Sequence, residues 1–462
     1  MGRRLGRRIR RPARRNGRPG PDRAHPAPPR SRGPRPEGPA VTPWINQATH
    51  RDWLGAETLR LLAFGSRAGL PEGGGAYLDA VGKPDAAQGV QTWITARTVH
   101  VYSLGHLLGV PGSAPVAHAA IAGLVARLRD PEHGGWFHAL DSGGVPDRDA
   151  GKSCYDHAFV LLAAASATLA ERGGGRSLLR QASTVYLKRF WDDEAGLPID
   201  LWDNAFTRPD DYRGLNSTMH SVEAMLTVAD AVEAPEAAQW RERAARAARF
   251  VARLAKDHDG LLPEHFGPDW TPDLELNRDR PDDPFKPFGA TPGHGLEWAR
   301  LLLHVEAAGG EDDELAGAAM LLFNRAVADG WAPDGTEGFV YTVDWDGAPM
   351  VRQRMHWVLA EAIAAAAALH RRTGERRYAD WYAAWWNYAE EHLIDRDGGS
   401  WRHQLDEHNR PATTVWPGKP DLYHAIQATL LPRLPLAPML ARAVRDGMMD
   451  SAQAGTNAEA KA

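Results

Sequence analysis

Thr291-Pro-Gly-His-Gly-Leu-Glu-Trp-Ala-Arg-Leu-Leu-Leu303 sets a histidine and a carboxylate where a helix begins. Pro292 and Gly293 suit the first turn, and the three-residue step from His294 to Glu297 puts both side chains on one helical face. Trp298, Leu301 and Leu302 fill the neighbouring apolar stripe. A single His-x-x-Glu is common on ordinary solvated helices, so the pair gains meaning only by recurrence.

The pattern does recur along the chain. His220 and Glu223 repeat it, His424 and Gln427 come close to it, and His157 and His356 head further apolar helices. With His100 added, the histidines at 100, 157, 220, 294, 356 and 424 are separated by 57, 63, 74, 62 and 68 residues, a repeat of six units. Glycine-centred turns at Gly135, Gly196, Gly260, Gly338 and Gly399 carry a second signal, with steps of 61, 64, 78 and 61 residues. Two markers with one period describe a single repeated supersecondary unit.

Helical windows run from Asp52–Ser66 to Leu422–Leu434, two to each unit, including Pro235–Lys256 and Arg376–Leu393 as charged outer candidates. No βαβ alternation, Gly-x-Gly-x-x-Gly string or P-loop interrupts them, which disfavours nucleotide-binding α/β folds. The expectation is an all-α chain of six helical hairpins joined by short hairpin-like loops. Histidine, glutamate, arginine, tyrosine and tryptophan at equivalent helix heads would face one cavity if the hairpins close into an (α/α)6 toroid rather than an open solenoid. Among 17 tryptophans, Trp93, Trp136, Trp345, Trp357, Trp401 and Trp416 lie near turns and helix heads, where aromatic faces suit stacking on sugar rings.

The first 40 residues stand apart. They hold 13 arginines against Asp22 and Glu37, a charge of +11, which predicts a disordered Arg/Pro-rich extension: a nucleic-acid or membrane-surface arm, or a non-native addition. Twin arginines occur there without the apolar stretch of an export signal. From a whole-chain charge of −5, the remainder carries −16, which excludes a general nucleic-acid binder. Cys154 is the sole cysteine, so no intrachain disulfide can form and a reducing compartment is expected. No apolar run is long enough for a membrane span. The reading is a soluble cytoplasmic protein with a catalytic domain over 41–442 and a flexible tail over 443–462, its oligomeric state undetermined.

Several ordered strings carry a resemblance: Arg213-Gly-Leu-Asn-Ser-Thr-Met-His220, Gly289-Ala-Thr-Pro-Gly-His-Gly-Leu-Glu-Trp298, Met355-His-Trp357 through Glu361, and Trp416-Pro-Gly-Lys-Pro-Asp-Leu-Tyr-His424. Together they resemble the N-acylglucosamine 2-epimerase superfamily, and within it the aldose–ketose isomerase branch of mannose and sulfoquinovose isomerases. The resemblance extends from about Trp44 to Pro438. It implies an (α/α)6 barrel, a monosaccharide substrate and a reaction without metal or redox cofactor that passes through an enediol. It also implies that His294 and His424 are catalytic, and that Arg97, His220, Glu297, Trp357 and Glu361 line the sugar site, with Tyr155 a looser match.

The chemistry asks for the same residue types. A proton next to a carbonyl is taken and returned by a base that is free near neutral pH, and imidazole suits both halves. The enediolate needs a fixed cation, for which Arg97 is the candidate. Glu297, one turn past His294, is expected to orient that imidazole or to bind a hydroxyl. His424 is assigned the C1/C2 proton and His294 ring opening, an order that could be reversed.

Five other readings stay open. A 2-epimerase would use the same groups with different stereochemistry. A sulfonated or carboxylated sugar would call for cations beyond Arg97, among which Arg213, Lys286 and Lys419 are available; a neutral hexose is favoured. An (α/α)6 glycoside hydrolase would use two of Glu223, Glu297 and Glu361. A catalytically dead sugar-binding protein would need the tryptophans but not the histidines, and a metal-dependent isomerase would need several converging ligands.

Overall fold

The computed structural model describes residues 42–451. The Arg-rich extension lies outside them. Thirteen α-helices follow in order: α1 (Ala48–Phe64), α2 (Thr92–Leu107), α3 (Ser113–Ala126), α4 (Cys154–Leu169), α5 (Gly175–Val185), α6 (Leu215–Ala231), α7 (Ala234–Asp257), α8 (Pro292–Gly309), α9 (Asp313–Gly330), α10 (His356–Thr373), α11 (Arg376–Tyr388), α12 (Tyr423–Leu430) and α13 (Leu440–Arg445).

Burial separates two classes of helix. α2 buries every residue from Thr92 to Gly105 and α10 every residue from Val358 to Leu369, as helices enclosed on all sides must. α7 buries one stripe, Ala237, Trp240, Ala244, Ala247, Val251 and Ala255, and shows its Arg and Glu residues to solvent. The enclosed helices α2, α4, α6, α8, α10 and α12 pack in sequence, and α12 returns to α2, so they form a closed inner ring. Each is backed by the helix that follows it, except α12, which is backed by α1 from the other end of the chain. Closure thus joins the N-terminal helix to the last inner one, and the chain is an (α/α)6 toroid.

Short antiparallel pairs fix the six units in register at one end. Val90–Gln91, just before α2, pairs with Ala139–Leu140. Lys152–Ser153 before α4 pairs with Leu201–Trp202, Arg213–Gly214 before α6 with His265–Phe266, and Arg354–Met355 before α10 with Gln404–Leu405. Ala290 before α8 bridges to Val343, and Lys419 N–H donates to Leu78 O across the closing seam (3.0 Å). All six inner helix heads are therefore held at one face of the ring.

The boundary at 442 cuts through α13, whose Leu440, Ala441, Ala443 and Val444 are buried, and Asp450 pairs with Arg433 at 2.7 Å. The last turn buries small apolar side chains that the composition alone reads as tail; the stretch beyond 451 lies outside the described residues. Among the described residues no helix is long and apolar enough to cross a membrane.

Candidate active site

The inner helix heads surround a cavity of about 720 Å³, counting its open mouth. Its wall takes Trp93 and Arg97 from α2, Tyr155 from α4, His220 from α6, His294 and Glu297 from α8, His356 and Trp357 from α10, and His424 from α12. Asn216, Phe285, Tyr341, His403, Trp416 and Asp421 join it, along with three prolines. Glu361 is the one sequence-predicted site residue outside this lining: it lies just behind His424.

His424 and His294 flank the Trp357 ring, with centroids 5.8 and 5.2 Å away. His424 Nδ1 is 3.0 Å from Glu361 Oε1, and His294 Nδ1 is 2.9 Å from Glu264 Oε2. A neutral imidazole that donates its Nδ1–H to a carboxylate keeps a lone pair on Nε2 for the pocket. Burial, aided by Arg97 and His356, holds His424 well below the usual histidine range, so that form is its resting state. Glu264, not Glu297, orients His294. Glu297 points down the helix instead, toward Arg300 at 3.4 Å.

Beneath the pocket Glu223, Glu297 and Glu361 converge on one another. Donor atoms of His220, Glu223 and Glu297 lie within 4.8 Å of one another, as do those of Glu297, Glu361 and His424. Such a donor set suits a cation, and it already holds one: Arg300, fully buried, donates from Nε to Glu361 Oε2 at 2.8 Å. Burial works against that guanidinium's charge, but the three carboxyls outweigh it and raise its pKa. Glu297 is driven toward its neutral form instead: burial and the Glu361 charge push it well above the carboxylate range. Glu223 sits low although burial opposes it, because His220 and Arg300 favour its charge. It accepts from Gln427 at 2.9 Å and from the Tyr423 hydroxyl.

Arg97 occupies the opposite wall. It donates from Nη1 to Asp421 at 3.0 Å and from Nη2 to the Tyr155 hydroxyl at 2.9 Å, and stacks over Trp93, Phe159 and Tyr423. Tyr155 is pushed up to about 12 by burial, with Arg97 pulling the other way. His220 is lowered to about 4 by burial and packs its ring on Phe159 and Tyr155. His356 is lowered to about 4 for the same reason and stacks on His403 at 3.7 Å.

Of the six tryptophans expected near a sugar, Trp93, Trp357 and Trp416 line the cavity and the others do not. Trp136 donates to Leu124 O, Trp401 to Glu57 and Trp345 to Leu274 O, each satisfying a buried indole in the frame of the repeat. His157 likewise serves the frame: Nδ1 meets Ser153 O at 2.7 Å and Nε2 accepts from Trp136 N–H. His100 meets Ser166. Lys286, Lys419 and Arg213 stay out of the cavity. Lys286 lies 3.7 Å over the Tyr212 ring, Lys419 pairs with Asp395 at 2.7 Å, and Arg213 donates to the carbonyls of Asp210 and Tyr212.

Sequence reasoning missed Glu264, Arg300, His403 and Asp421. Glu264 and His403 each stand four residues after a turn glycine, Gly260 and Gly399, with a carbonyl that accepts from the preceding inner helix entry, Leu215 N–H and His356 N–H. The glycine markers pointed to these positions.

A ring of inner helices with an acid–base pocket at one mouth defines an (α/α)6-barrel enzyme. The chain belongs to the N-acylglucosamine 2-epimerase (GlcNAc 2-epimerase) family, whose model matches residues 73–428. It is 52% identical over 407 residues to the D-mannose isomerase of Thermobifida fusca, covering 87% of this chain and 99% of that one. It is 46% identical over 411 residues to the D-mannose isomerase of Pseudomonas cannabina pv. alisalensis, covering 87% and 97%. A crystal structure of D-mannose isomerase superposes with a TM-score of 0.76 at 26% identity, covering 84% of this chain and 98% of that one.

Proposed function

We propose that the protein is an aldose–ketose isomerase that interconverts D-mannose and D-fructose. The observation that carries this reading is the pair of imidazoles flanking Trp357, each tied through Nδ1 to a carboxylate and each with Nε2 left for the pocket. His294, nearer the mouth, exchanges the proton between the anomeric hydroxyl and the ring oxygen that opens the pyranose. His424 Nε2 then takes the C2 proton. The electron pair left behind becomes the C1–C2 double bond, the carbonyl oxygen gains a proton, and O2 gives one up as the proton on His424 returns to C1. Arg97 faces the negative charge that builds on oxygen during this exchange. Glu297, kept protonated by burial, is a hydrogen donor to a sugar oxygen.

A neutral hexose fits the charge of the wall. Among the described residues Arg97 is the one Arg or Lys in the lining, and it is already paired with Asp421, which leaves none of them to neutralise a sulfonate. The hydrolase geometry fits poorly, because an inverting pair stands roughly 6.5 to 9.5 Å apart, whereas Glu297 and Glu361 lie within 4.8 Å and share Arg300. A single buried cysteine, Cys154, leads us to place the enzyme in the cytoplasm. The test is proton NMR of D-mannose with enzyme and chelator in heavy water. Fructose carrying deuterium supports the isomerase. An unchanged spectrum overturns it, and a glucose signal larger than the fructose signal makes the protein a 2-epimerase.

A further inference from the structure

α8 carries its polar groups at three-residue steps: His294 at the mouth, Glu297 at the floor and Arg300 one turn deeper, with no exposure at all. Arg300 reaches across to α10, where its Nε meets Glu361 Oε2 at 2.8 Å. The other oxygen of the same carboxylate meets His424 Nδ1 at 3.0 Å on α12. Three inner helices are thus joined by guanidinium, carboxylate and imidazole in a row.

We infer that Arg300 is a positioning residue: it holds Glu361 as a carboxylate aimed at His424 Nδ1, and so keeps His424 Nε2 unprotonated and turned to the pocket. The inference rests on His424 being the proton shuttle. Burial opposes charge on Glu361, and Arg300 is the cation that touches it. Without Arg300 that carboxyl would take up a proton and turn from acceptor to donor, or His424 would take one to compensate. In both cases the lone pair on Nε2 is lost near neutral pH. His424 is faced also by Arg97 from α2, His220 from α6, His356 from α10 and Asp421 from its own entry segment. Among the described residues none of these bonds to Nδ1.

Arg300→Met and Arg300→Lys in the full-length enzyme decide the matter. For Arg300→Met we expect kcat to fall about 100-fold with KM changed less than about twofold, as for a group that acts on chemistry rather than on substrate binding. The acid limb of kcat/KM should move up by about one pH unit. Nitrogen-15 spectra of His424 in the substrate-free enzyme should show Nε2 protonated. Arg300→Lys, which keeps the charge, should restore part of the limb and of the tautomer. A folded Arg300→Met with the parent's limb and tautomer overturns the inference.

If Arg300→Met fails to fold, the decision passes to Glu361→Gln. Adding Arg300→Lys to it should cost nothing further, and additive losses overturn the proposal. The tautomer is read without any sugar, so a wrong substrate assignment leaves this result intact.

Discussion

His424 and His294 flank one tryptophan and each leans on one glutamate, yet they are supported differently. Glu361 behind His424 comes from the middle of an inner helix, is 1% exposed and is held by Arg300. Glu264 behind His294 comes from the hairpin loop before α8, and His294 itself is 12% exposed. Both imidazoles stand on inner helices, but one is braced from within the ring and the other from a loop at its mouth. A base that must return a proton to one face of C1 needs the fixed position, and a group that assists ring opening at the entrance tolerates the looser one.

The largest effect should come from breaking the deep site. His424→Ala is expected to lower kcat by about 1,000-fold or more and to abolish C2 deuterium exchange, in keeping with loss of a general base. His294→Ala should lose less and keep measurable exchange, since a small fraction of the sugar opens its ring without help. Exchange at C2, followed by NMR in heavy water, separates the two. If His424→Ala keeps full exchange while His294→Ala loses it, the assignment is reversed.

The carboxylates sharpen the same contrast. Glu361→Gln removes the charge between Arg300 and His424 and should cost about 100-fold in kcat, whereas Glu264→Gln, on a loop and also buried but without an arginine against it among the described residues, should cost about tenfold. Equal losses would mean that the Arg300 contact adds nothing to orientation.

The sequence made the ring legible and left its supports obscure. From His157 onward the period of the histidines reports the N-terminal turns of the inner helices, whereas His100 lies in the middle of α2; the hairpin pairs before α2, α4, α6 and α10 are the physical cause of that regularity. His294, His424, Arg97, His220 and Trp357 share a helix-head position and meet in the cavity. The partners were harder to read. Glu361 stands five residues into α10 and meets His424 across the packing of α10 on α12, a contact between helices distant in the chain. Arg300 sits inside the opening stretch, yet an arginine in an apolar helix gives no local sign that carboxyls from two further helices will join Glu297 around it. Half of the expected tryptophans went to the frame, because a turn that repeats also needs buried indoles to brace it.

Acid should separate the mouth from the core below it. His100, His157, His220, His304 and His356 are each held neutral by burial, with pKa lowered to about 4. Unfolded, each would bind a proton below about 6.5, so the unfolded state gains protons first as pH drops. Stability from these five is complete above about pH 7 and is lost toward 4, by at most about 1.4 kcal/mol per histidine for each pH unit. His138, raised to about 9 by Asp156, runs the other way: its contribution is whole below about 6.5 and fades as pH climbs toward 9. Melting temperature should therefore fall steeply from pH 7 to 5, and kcat/KM of enzyme still folded should fall less than the melt does. A flat melting temperature over that range would show that the core imidazoles are not held neutral.

The smallest effect is expected at Lys286, on the strap that brings Phe285 to the mouth near His294. Its ammonium stands over the Tyr212 ring, Tyr212 bonds to His265 at 2.8 Å, and His265 bonds to Pro287 O at 2.8 Å, so this chain of contacts fixes the strap from outside the cavity. Lys286→Ala removes one half-buried cation–π contact, worth about 1 kcal/mol, and leaves the Tyr212–His265–Pro287 bonds in place. Turnover of mannose should change less than about twofold, and a sulfonated hexose should be as poor a substrate for the variant as for the parent enzyme. Were the variant to lose a sulfonated substrate that the parent converts, Lys286 would have to swing into the pocket, and the mouth beside His294 would be where substrate charge is read.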